Sequence, residues 1–382
     1  GELLDVIGLV RAHPWSAEAL GRDDFDYDDG WDPAEQAGVD VAKAIADRDL
    51  GFAGRDDEVW AMLETEVRDR SQPSGILSGA RDPLDHAINR RCTRALDAVL
   101  SFMAHEFRTT DGVRPEALTL LEEVLRLDGA DGAEHRAILA TRLGFLQHVA
   151  PGWFDASSSL FLGADAPADL AQVTADLAIR WGRPNRWLHE QHRDLVRDAV
   201  RRDVENAIDQ LLIAMLWGVP GYTIEDNVAF LHALPDALSK AGEALGRLLR
   251  HQDADPTHVA VAADFWRAAV DAGVNGELVG FGWMAEVEQL DDATWAELVQ
   301  KTLARTAGKI DSAHKVAERA ASLMPSATTL SIMNSLVRGI SDEWDRRGTA
   351  EKAVGVLDRA GDLAGTPEYE RLRTTLLERG AM

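Results

Sequence analysis

Apolar residues recur at three- and four-residue steps along nearly the whole chain, which is the spacing of one face of an α-helix. The clearest case begins at Asp82-Pro83, an N-cap followed by proline at the first helical position, and predicts one helix that runs to about Phe107. Further helices are expected from Pro115 to Asp128 and over 133–149. The inward positions of the first helix are Leu84, Ile88, Cys92, Ala95, Val99 and Met103.

The same alternation of a helix and a short Gly, Pro or Asp break continues to the end of the chain. Strand-like alternation is nearly absent, and its nearest candidate is the short segment 277–281. Helices joined by short breaks pack as antiparallel neighbours, so we predict an all-α fold, an irregular α-solenoid or multi-helix array without a repeat of fixed period. The remaining predicted helices cover 33–49, 56–70, 168–181, 185–217, 225–234, 236–251, 256–272, 292–307, 310–323, 326–339, 349–363 and 367–379.

The breaks between helices also suggest how the chain is divided. Longer loops are predicted over 21–32, 71–82, 150–167 and 271–282, and the Pro-, Gly- and Ser-containing stretch 150–167 is the strongest internal boundary. Residues 1–70 hold 19 acidic and 7 basic residues, a net charge of −12. The predicted parts are an acidic helical segment 1–70, helical subdomains 71–150 and 151–275, and a C-terminal helical subdomain 276–382.

Composition limits the classes of partner and compartment. The 382 residues are 46% hydrophobic and carry a net charge of −25, which permits a buried core but argues against nucleic acid or an anionic membrane as partner. No apolar run is long enough to span a bilayer. The lone cysteine, Cys92, excludes a disulfide framework and fits a reducing, cytoplasmic compartment. The chain starts Gly-Glu-Leu-Leu rather than Met, and we expect it to be part of a longer protein.

Sequence signatures of catalysis are missing. There is no phosphate-binding P-loop, no G-x-G-x-x-G, no G-x-S-x-G and no H-E-x-x-H. Cys92 lies on the apolar stripe of a helix, which predicts a buried, inert thiol. We therefore predict no catalytic residue and no cofactor in this chain. The alternatives are an all-α metal-dependent hydrolase or lyase and a self-assembly module, and a homo-oligomer is left open.

One acidic loop has the spacing of a calcium-binding EF-hand loop, with carboxylates at its positions 1, 3, 5, 9 and 12. The match fails at the sixth position, where the sharp turn needs glycine but the chain has Asp29, and Gly30 follows one residue late. A solvated acidic loop is therefore favoured over a calcium site. The candidate metal ligands are Asp24, Asp26, Asp28, Asp32 and Glu35.

A second group of polar residues lies around position 190. His189 and His192 are three residues apart on one predicted helix, but no spacing indicates the third ligand that a metal would need. The basic residues nearby are interleaved with Glu190, Asp194 and Asp198, which favours i,i+4 pairs on a solvated helix over a nucleic-acid groove. These basic residues are Arg183, Arg186, Arg193, Arg197, Arg201 and Arg202.

Tryptophan is unusually abundant, with eleven residues against ten phenylalanines. Tryptophan beside arginine is typical of protein interfaces, although bulky aromatics also fill gaps between irregular helices. The candidate protein-contact residues are Trp181, Arg183, Arg186 and Trp187. We predict partial exposure for Trp187 and a core position for Trp283, which follows glycine and precedes an apolar segment.

Several short sequence motifs, which we call phrases, occur together between residues 80 and 340. They resemble the long C-terminal helical regions of large bacterial anti-phage defence proteins, in which a STAND-type NTPase or a sirtuin-like NADase precedes a HEAT-like array. The resemblance carries over no catalytic residue. It implies a non-catalytic sensor or scaffold that binds a protein trigger or a sister subunit and regulates a fused effector. The phrases are Asp82-Pro83 to Ala95-Leu96, Arg136 to Ala140 before Pro151-Gly152-Trp153, Phe281 to Met284, Thr302-Leu303 to Asp311, and Val316 to Arg319.

Overall fold

A computed structural model describes residues 31–71, 82–167, 169–272, 277–340 and 343–381, with side chains from residue 36 in the first range and from residue 347 in the last. Helix makes up 74% of the structure, and the described residues contain no strand, so the predicted all-α fold is confirmed. The chain divides into two compact units, with the boundary between Asn185 and Arg186.

In the first unit α4 is the central helix. Its middle, from Ala95 to Met103, is almost entirely buried because α1, α2 and α6 pack around it, while α9 packs on α6 and α8. The helices of this unit are α1 (Trp31–Asp47), α2 (Asp56–Arg68), α3 (Pro83–Ala87), α4 (Arg91–Thr110), α5 (Pro115–Leu125), α6 (Gly129–Ala140), α7 (Leu143–Val149), α8 (Pro151–Leu162) and α9 (Leu170–Trp181).

The second unit contains α10 (Arg186–Gln191), α11 (Arg193–Arg201), α12 (Ala207–Leu216), α13 (Ile224–His232), α14 (Ala237–Leu249), α15 (Pro256–Asp271), the 3-10 helix η1 (Val279–Glu286), α16 (Asp292–Arg305), α17 (Ala313–Ser322), α18 (Ala327–Gly339), α19 (Glu343–Arg359), the 3-10 helix η2 (Gly361–Leu363) and α20 (Pro367–Glu378). Alternate helices pack on one another: α12 on α14, α13 on α15, α16 on α18, α17 on α19 and α18 on α20. Such packing is expected when helical pairs stack, and the solenoid itself stays a prediction.

Many helices of the second unit begin where a side-chain oxygen satisfies a free backbone N–H of the first turn. Asp255 Oδ1 accepts from the N–H of Thr257 at 2.8 Å, and Asp291 Oδ1 accepts from the N–H of Thr294 at 2.9 Å. Proline occupies the first turn of α15, directly after Asp255. These signals are local in sequence, so the predicted starts of α13, α15, α16 and α18 agree with the structure to within about two residues.

The single helix predicted over 82–107 is wrong in one respect, because the chain breaks into α3 and α4 at 88–90. Arg90 has extended backbone angles (φ −92°, ψ 135°) there. Its guanidinium pairs with Glu134 at 2.7 Å and Asp131 at 2.5 Å, both on α6. The break thus positions Arg90 for a buried ion pair with α6. The spacing of apolar residues in the sequence gives no sign of this ion pair.

The predicted helix over 185–217 is also wrong, since it divides into α10, α11 and α12. Asp203 and Asn206, between the last two, have positive φ angles of 56° and 63°. Short polar side chains tolerate this left-handed conformation, which ends a helix. The helix predicted over 133–149 divides in the same way, into α6 and α7.

The loop predicted over 150–167 is instead largely helical, as α8. Pro151 starts this helix, and Phe154 and Phe161, two turns apart, are fully buried with ring centres 5.5 Å from each other. Residues 150–167 therefore lie inside the first unit and do not separate two units. The finer division into four parts stays a prediction.

The tightest packing of the second unit joins α14 to η1. A Cβ at Gly242 would lie 2.5 Å from the backbone nitrogen of Phe281, and one at Gly246 would lie 2.5 Å from Cβ of Trp283. Phe281 in turn stacks on Trp266, with ring centres 5.4 Å apart and planes 9° from parallel. The two glycines are therefore required for the close approach of these helices. η1 occupies part of the loop predicted over 271–282.

Candidate functional site

The predicted calcium ligands fall at the edge of the described chain. Asp24, Asp26 and Asp28 lie outside the described residues, whereas Asp32 and Glu35 lie in α1, and their side chains are outside the described part. Within the described ranges, no group of three or more His, Cys, Asp and Glu side chains is arranged to hold a metal ion. The calcium hypothesis stays untested.

The predicted protein-contact residues belong to two units. Trp181 and Arg183 lie near the end of the first unit and are exposed, Trp181 to 44%. Arg186 and Trp187 begin the second unit. Arg186 is exposed and pairs with Glu190, Nε to Oε1 at 2.6 Å.

The predicted exposures of Trp187 and Trp283 are reversed in the structure. Trp187 is only 9% exposed, and its ring meets that of His192 edge-on at 4.7 Å. Trp283 is half-buried rather than fully buried, and its Cβ lies against Gly246 of α14. Neighbouring arginine does not predict the exposure of a tryptophan at the start of a helix, and the assignment of Trp187 as a contact residue stays a prediction.

The two histidines have different surroundings. His189 is fully buried, and its ring lies edge-on to Trp217 at 6.2 Å and Tyr222 at 5.8 Å. Burial lowers the pKa of His189 to about 4, against a smaller opposing effect of Gln210. Burial also lowers the pKa of half-buried His192. His189 is therefore a neutral interior side chain at pH 7.

The i,i+4 pairing predicted for the basic segment is present only in part. Arg186 pairs with Glu190, and Arg202 pairs with Asp198, Nε to Oδ2 at 2.8 Å. Asp194, by contrast, is exposed and forms no ion pair with any described residue. Four of the six basic residues of this segment, Arg183, Arg193, Arg197 and Arg201, are left for other contacts.

Three unpaired arginines, Arg193, Arg197 and Arg201, follow one another at four-residue steps along one face of α11, and we call them the arginine stripe. None of them forms an ion pair with a carboxylate among the described residues. Arg197 and Arg201 lie 5.3 and 5.2 Å from the centre of the Phe230 ring. Arg193 Nη1 donates to the carbonyl oxygen of Gly221 at 3.4 Å. Half-buried Arg197 has no hydrogen-bond partner for Nε or Nη2 in the described chain.

Tyr222 lies beside the arginine stripe, in the turn between α12 and α13. It is 3% exposed, and its hydroxyl has no hydrogen-bond partner in the described part of the chain. Burial raises the pKa of Tyr222, and the positive charges of Arg197 and Arg193 oppose that rise in part. A neutral phenol is thus buried close to two guanidinium groups. The i, i+4, i+8 spacing of the arginines is visible in the sequence. The position of Tyr222 is not, because Tyr222 comes close to these arginines only through the turn between α12 and α13.

An open groove of about 440 Å³ borders the arginine stripe. It is lined by residues at the end of α10, the start of α11 and the α12–α13 turn, among them Glu190, His192, Arg193, Asp194 and Pro220. A second open groove, of about 590 Å³, lies between α16 and the α17–α18 turn and has small apolar residues, Ala293 and Ala296, in its lining. Met324, at its edge, is 87% exposed.

The buried arginines of the first unit have a different role. Arg90 pairs with Glu134, and Arg136 donates to backbone carbonyl oxygens and to Thr174. Because these contacts are made to other helices of the same unit, these arginines hold helices together. The sequence pattern assigns Arg136 no role beyond its place in the segment 136–140 quoted for the resemblance, since a charged residue within an apolar helix resembles any other surface position.

None of the helices in the described part of the chain has the length and the apolar run that crossing a bilayer requires. Comparison with known proteins found no matching family model, no matching curated protein and no matching solved structure.

Proposed function

We propose that this chain is a non-catalytic helical scaffold that binds a protein partner, either a trigger protein or a sister subunit. The packing of alternate helices in the second unit supports this proposal, because such arrays offer extended binding surfaces without an active site. The two grooves also support it, since both are open, whereas an enzyme active site is typically a cleft that buries most of its ligand.

The observation that carries the proposal is the state of Trp181, at the end of α9. The side chain is 44% exposed yet fixed, because its indole N–H donates to Asp82 Oδ2 at 3.0 Å. Arg180 pairs with the same carboxylate at 2.7 Å and lies 5.2 Å from the centre of the Trp181 ring. Arg183, also exposed, follows two residues later.

A tryptophan held in this way is suited to anchor a partner. Tryptophan and arginine are the residues most often found at interface hot spots. Side chains that are already ordered lose less conformational entropy when a partner binds, so more of the contact energy appears as affinity. Exposure of the apolar ring surface to water is unfavourable in free energy, and a bound partner removes that surface from water.

The resemblance of residues 80–340 to helical regions of bacterial anti-phage defence proteins supports a specific setting for the scaffold. In that setting the scaffold recognises a trigger or a sister subunit and regulates an effector. Trp181 lies inside the range that the resemblance covers.

A photo-crosslinking amino acid at position 183 tests the proposal in cells that produce the chain. We expect one major adduct on irradiation, and we expect Trp181→Ala to remove it. An adduct of twice the chain mass identifies a sister subunit, and a heavier or lighter adduct identifies a different protein.

The matched control is the same crosslinker in place of Glu351, an exposed residue of α19 in the second unit. Identical adducts from both positions would indicate random collisions. Such a result, or an adduct that survives Trp181→Ala, contradicts the proposal.

A further inference from the structure

We propose that the open groove between α16 and the α17–α18 turn is the docking site for a basic amphipathic helix of a partner protein, with Met324 as its apolar anchor. We call it the Met324 groove. Its lining residues all belong to the second unit. The site goes beyond the proposed function, because it does not involve Trp181 and because it specifies the chemistry of a partner.

The first argument is the state of Met324, which lines the groove. Met324 is 87% exposed, more than any other large apolar residue of the described chain. Its backbone is held in place, because its carbonyl oxygen accepts a hydrogen bond from Thr329 Oγ1 at 3.3 Å and Pro325 follows it. Methionine is common at binding surfaces, since its flexible side chain adapts to the shape of a partner. A partner that covers Met324 removes this apolar surface from water.

The second argument is the space beside Met324. The wall on α16 carries Ala293 and Ala296, two small residues three positions apart, and half-buried Leu323 lies in the facing turn. The groove volume of about 590 Å³ lies within the range of pockets that hold a small ligand. Small side chains along one wall therefore leave room for the apolar side chains of one turn of an incoming helix.

The third argument is the charge of the groove. Its charged lining residues are Asp292 and Glu297, both exposed, and no Lys or Arg is among the described residues that line it. Residues 286–300 hold five acidic residues and no basic residue, and residues 320–329 hold no charged residue. Such a groove attracts a partner with lysine or arginine and repels an acidic one.

Neighbouring cations do not cancel this charge. Arg319 pairs with Asp292 at 3.1 Å, and Lys301 pairs with Glu297 at 2.6 Å. The five carboxylates of residues 286–300 against these two cations leave a net charge of −3. Exposed ion pairs are weak, and each of the two carboxylates has a second oxygen outside its pair. A lysine or arginine of the partner can therefore bind there as well.

The lining favours a helix over other forms of bound peptide. An extended peptide adds to an exposed strand edge, and the described residues contain no strand. A proline-rich peptide needs a groove lined by aromatic rings, and the lining residues within the described chain include none. An amphipathic helix places its apolar face in the groove and its charged residues beside the edges, where exposed Asp292 and Glu297 are available.

Methionine-methyl NMR of the whole chain, at physiological ionic strength, tests the groove. The probe is a synthetic amphipathic helical peptide of leucine and lysine. The chain has seven methionines, and the methyl signal of Met324 is the one that Met324→Gln removes. We expect saturable binding, with the largest shift at that signal. A matched peptide with glutamate in place of lysine should not bind saturably, because like charges meet at the groove.

Four variants separate the groove from the rest of the surface. Met324→Gln should weaken binding of the leucine–lysine peptide at least about tenfold, because the apolar anchor is lost. Its control is Leu377→Gln at another exposed apolar residue of the second unit, which should change the affinity less than about twofold. Glu297→Gln should weaken binding several-fold. Its control is Glu351→Gln, which removes an exposed carboxylate from a similar i,i+4 ion pair and should have little effect.

The contrary outcomes are as specific. Equal effects of Met324→Gln and Leu377→Gln, or equal affinity for the leucine–glutamate peptide, would indicate unspecific apolar binding and would overturn the groove. Equal effects of the two glutamate variants would indicate diffuse attraction to an acidic chain and would also overturn it, as would failure of the leucine–lysine peptide to bind saturably. Trp181→Ala should leave peptide binding unchanged, so failure of the groove and failure of the proposed function are distinguishable.

Discussion

Arg136, on α6, donates from Nη2 to the backbone carbonyl oxygen of Leu125, the last residue of α5, at 2.5 Å. The same nitrogen reaches the carbonyl oxygen of Leu160 at 2.8 Å, and Nη1 reaches that of Phe161 at 3.1 Å, both in the last turn of α8. The last carbonyls of a helix have no partner within it and carry partial negative charge. Arg136 therefore caps the C-terminal ends of two helices. Burial lowers the pKa of its guanidinium to about 10, so the group stays charged at pH 7.

We expect Arg136→Met to destabilise the first unit by about 3 kcal/mol or more, because several buried carbonyl oxygens lose their donor together. Urea unfolding followed by circular dichroism measures this loss. Arg126→Met is the control, since Arg126 is exposed and its ion pair with Glu122 spans 3.4 Å. Its effect should be within about 0.5 kcal/mol. Similar losses for the two variants would show that Arg136 does not support the helix ends.

The second prediction concerns pH and the buried imidazole of His189. Its pKa in the folded chain is about 4, below the ordinary value of 6.5, so the unfolded chain binds a proton that the folded chain does not bind between these values. Stability is therefore complete above about pH 6.5 and is lost as the pH falls towards 4. Relative to pH 8, the loss at pH 5 should be about 2 kcal/mol.

His189→Gln isolates this contribution when urea unfolding is measured at pH 8 and pH 5. The variant should lose less stability between the two pH values than the wild-type chain, whatever its stability at pH 8. His251→Gln, at an exposed position, should behave as the wild type does. A pH dependence that His189→Gln leaves intact would assign the acid sensitivity to other groups, among them His135 and His192, whose pKa values burial also lowers.

The helices could be predicted from sequence because their signals are local. Proline in the first turn and an acidic or hydroxyl side chain before it mark α15 and α20 as they marked α3. The same proline signal is present at Pro151, but the glycine and serine residues nearby favour a loop, which is the prediction made for this segment. In the structure the segment is a helix, and Phe154 and Phe161 share its buried face. Composition is thus a weaker guide to a helix boundary than the spacing of its apolar residues.

The candidate site could be predicted only in part, because its members meet through non-local contacts. The stripe arginines share one helix, and their spacing is visible in the sequence, but their lack of partners depends on where every acidic residue lies. Tyr222 reaches the stripe only because the turn after α12 folds back over α11. The burial of Trp187 also cannot be predicted from its neighbours in sequence, since the adjacent residue Arg186 is exposed.

The third prediction follows from the different burial of two tryptophans. Trp187→Ala should destabilise the second unit by about 3–5 kcal/mol, because it removes a large buried side chain and leaves a cavity. Trp181→Ala should cost about 1 kcal/mol, chiefly the hydrogen bond to Asp82, because the ring is partly exposed. Thermal unfolding of the two variants provides the comparison. A larger loss for Trp181→Ala would mean that Trp181 supports the fold rather than a partner.

The last prediction compares two glycines at which alanine should have opposite effects. At Gly242, on α14, a methyl group would lie 2.5 Å from the backbone nitrogen of Phe281, and backbone cannot move aside as a flexible side chain can. Gly242→Ala should therefore destabilise the chain by about 1–3 kcal/mol through overpacking. Gly355, on α19, is exposed with nothing within 4 Å of the new methyl group, so Gly355→Ala should stabilise the chain by about 0.5–1 kcal/mol through helix propensity. Urea unfolding of both variants tests the pair, and a tolerated alanine at position 242 would show that α14 and η1 separate more easily than their packing indicates.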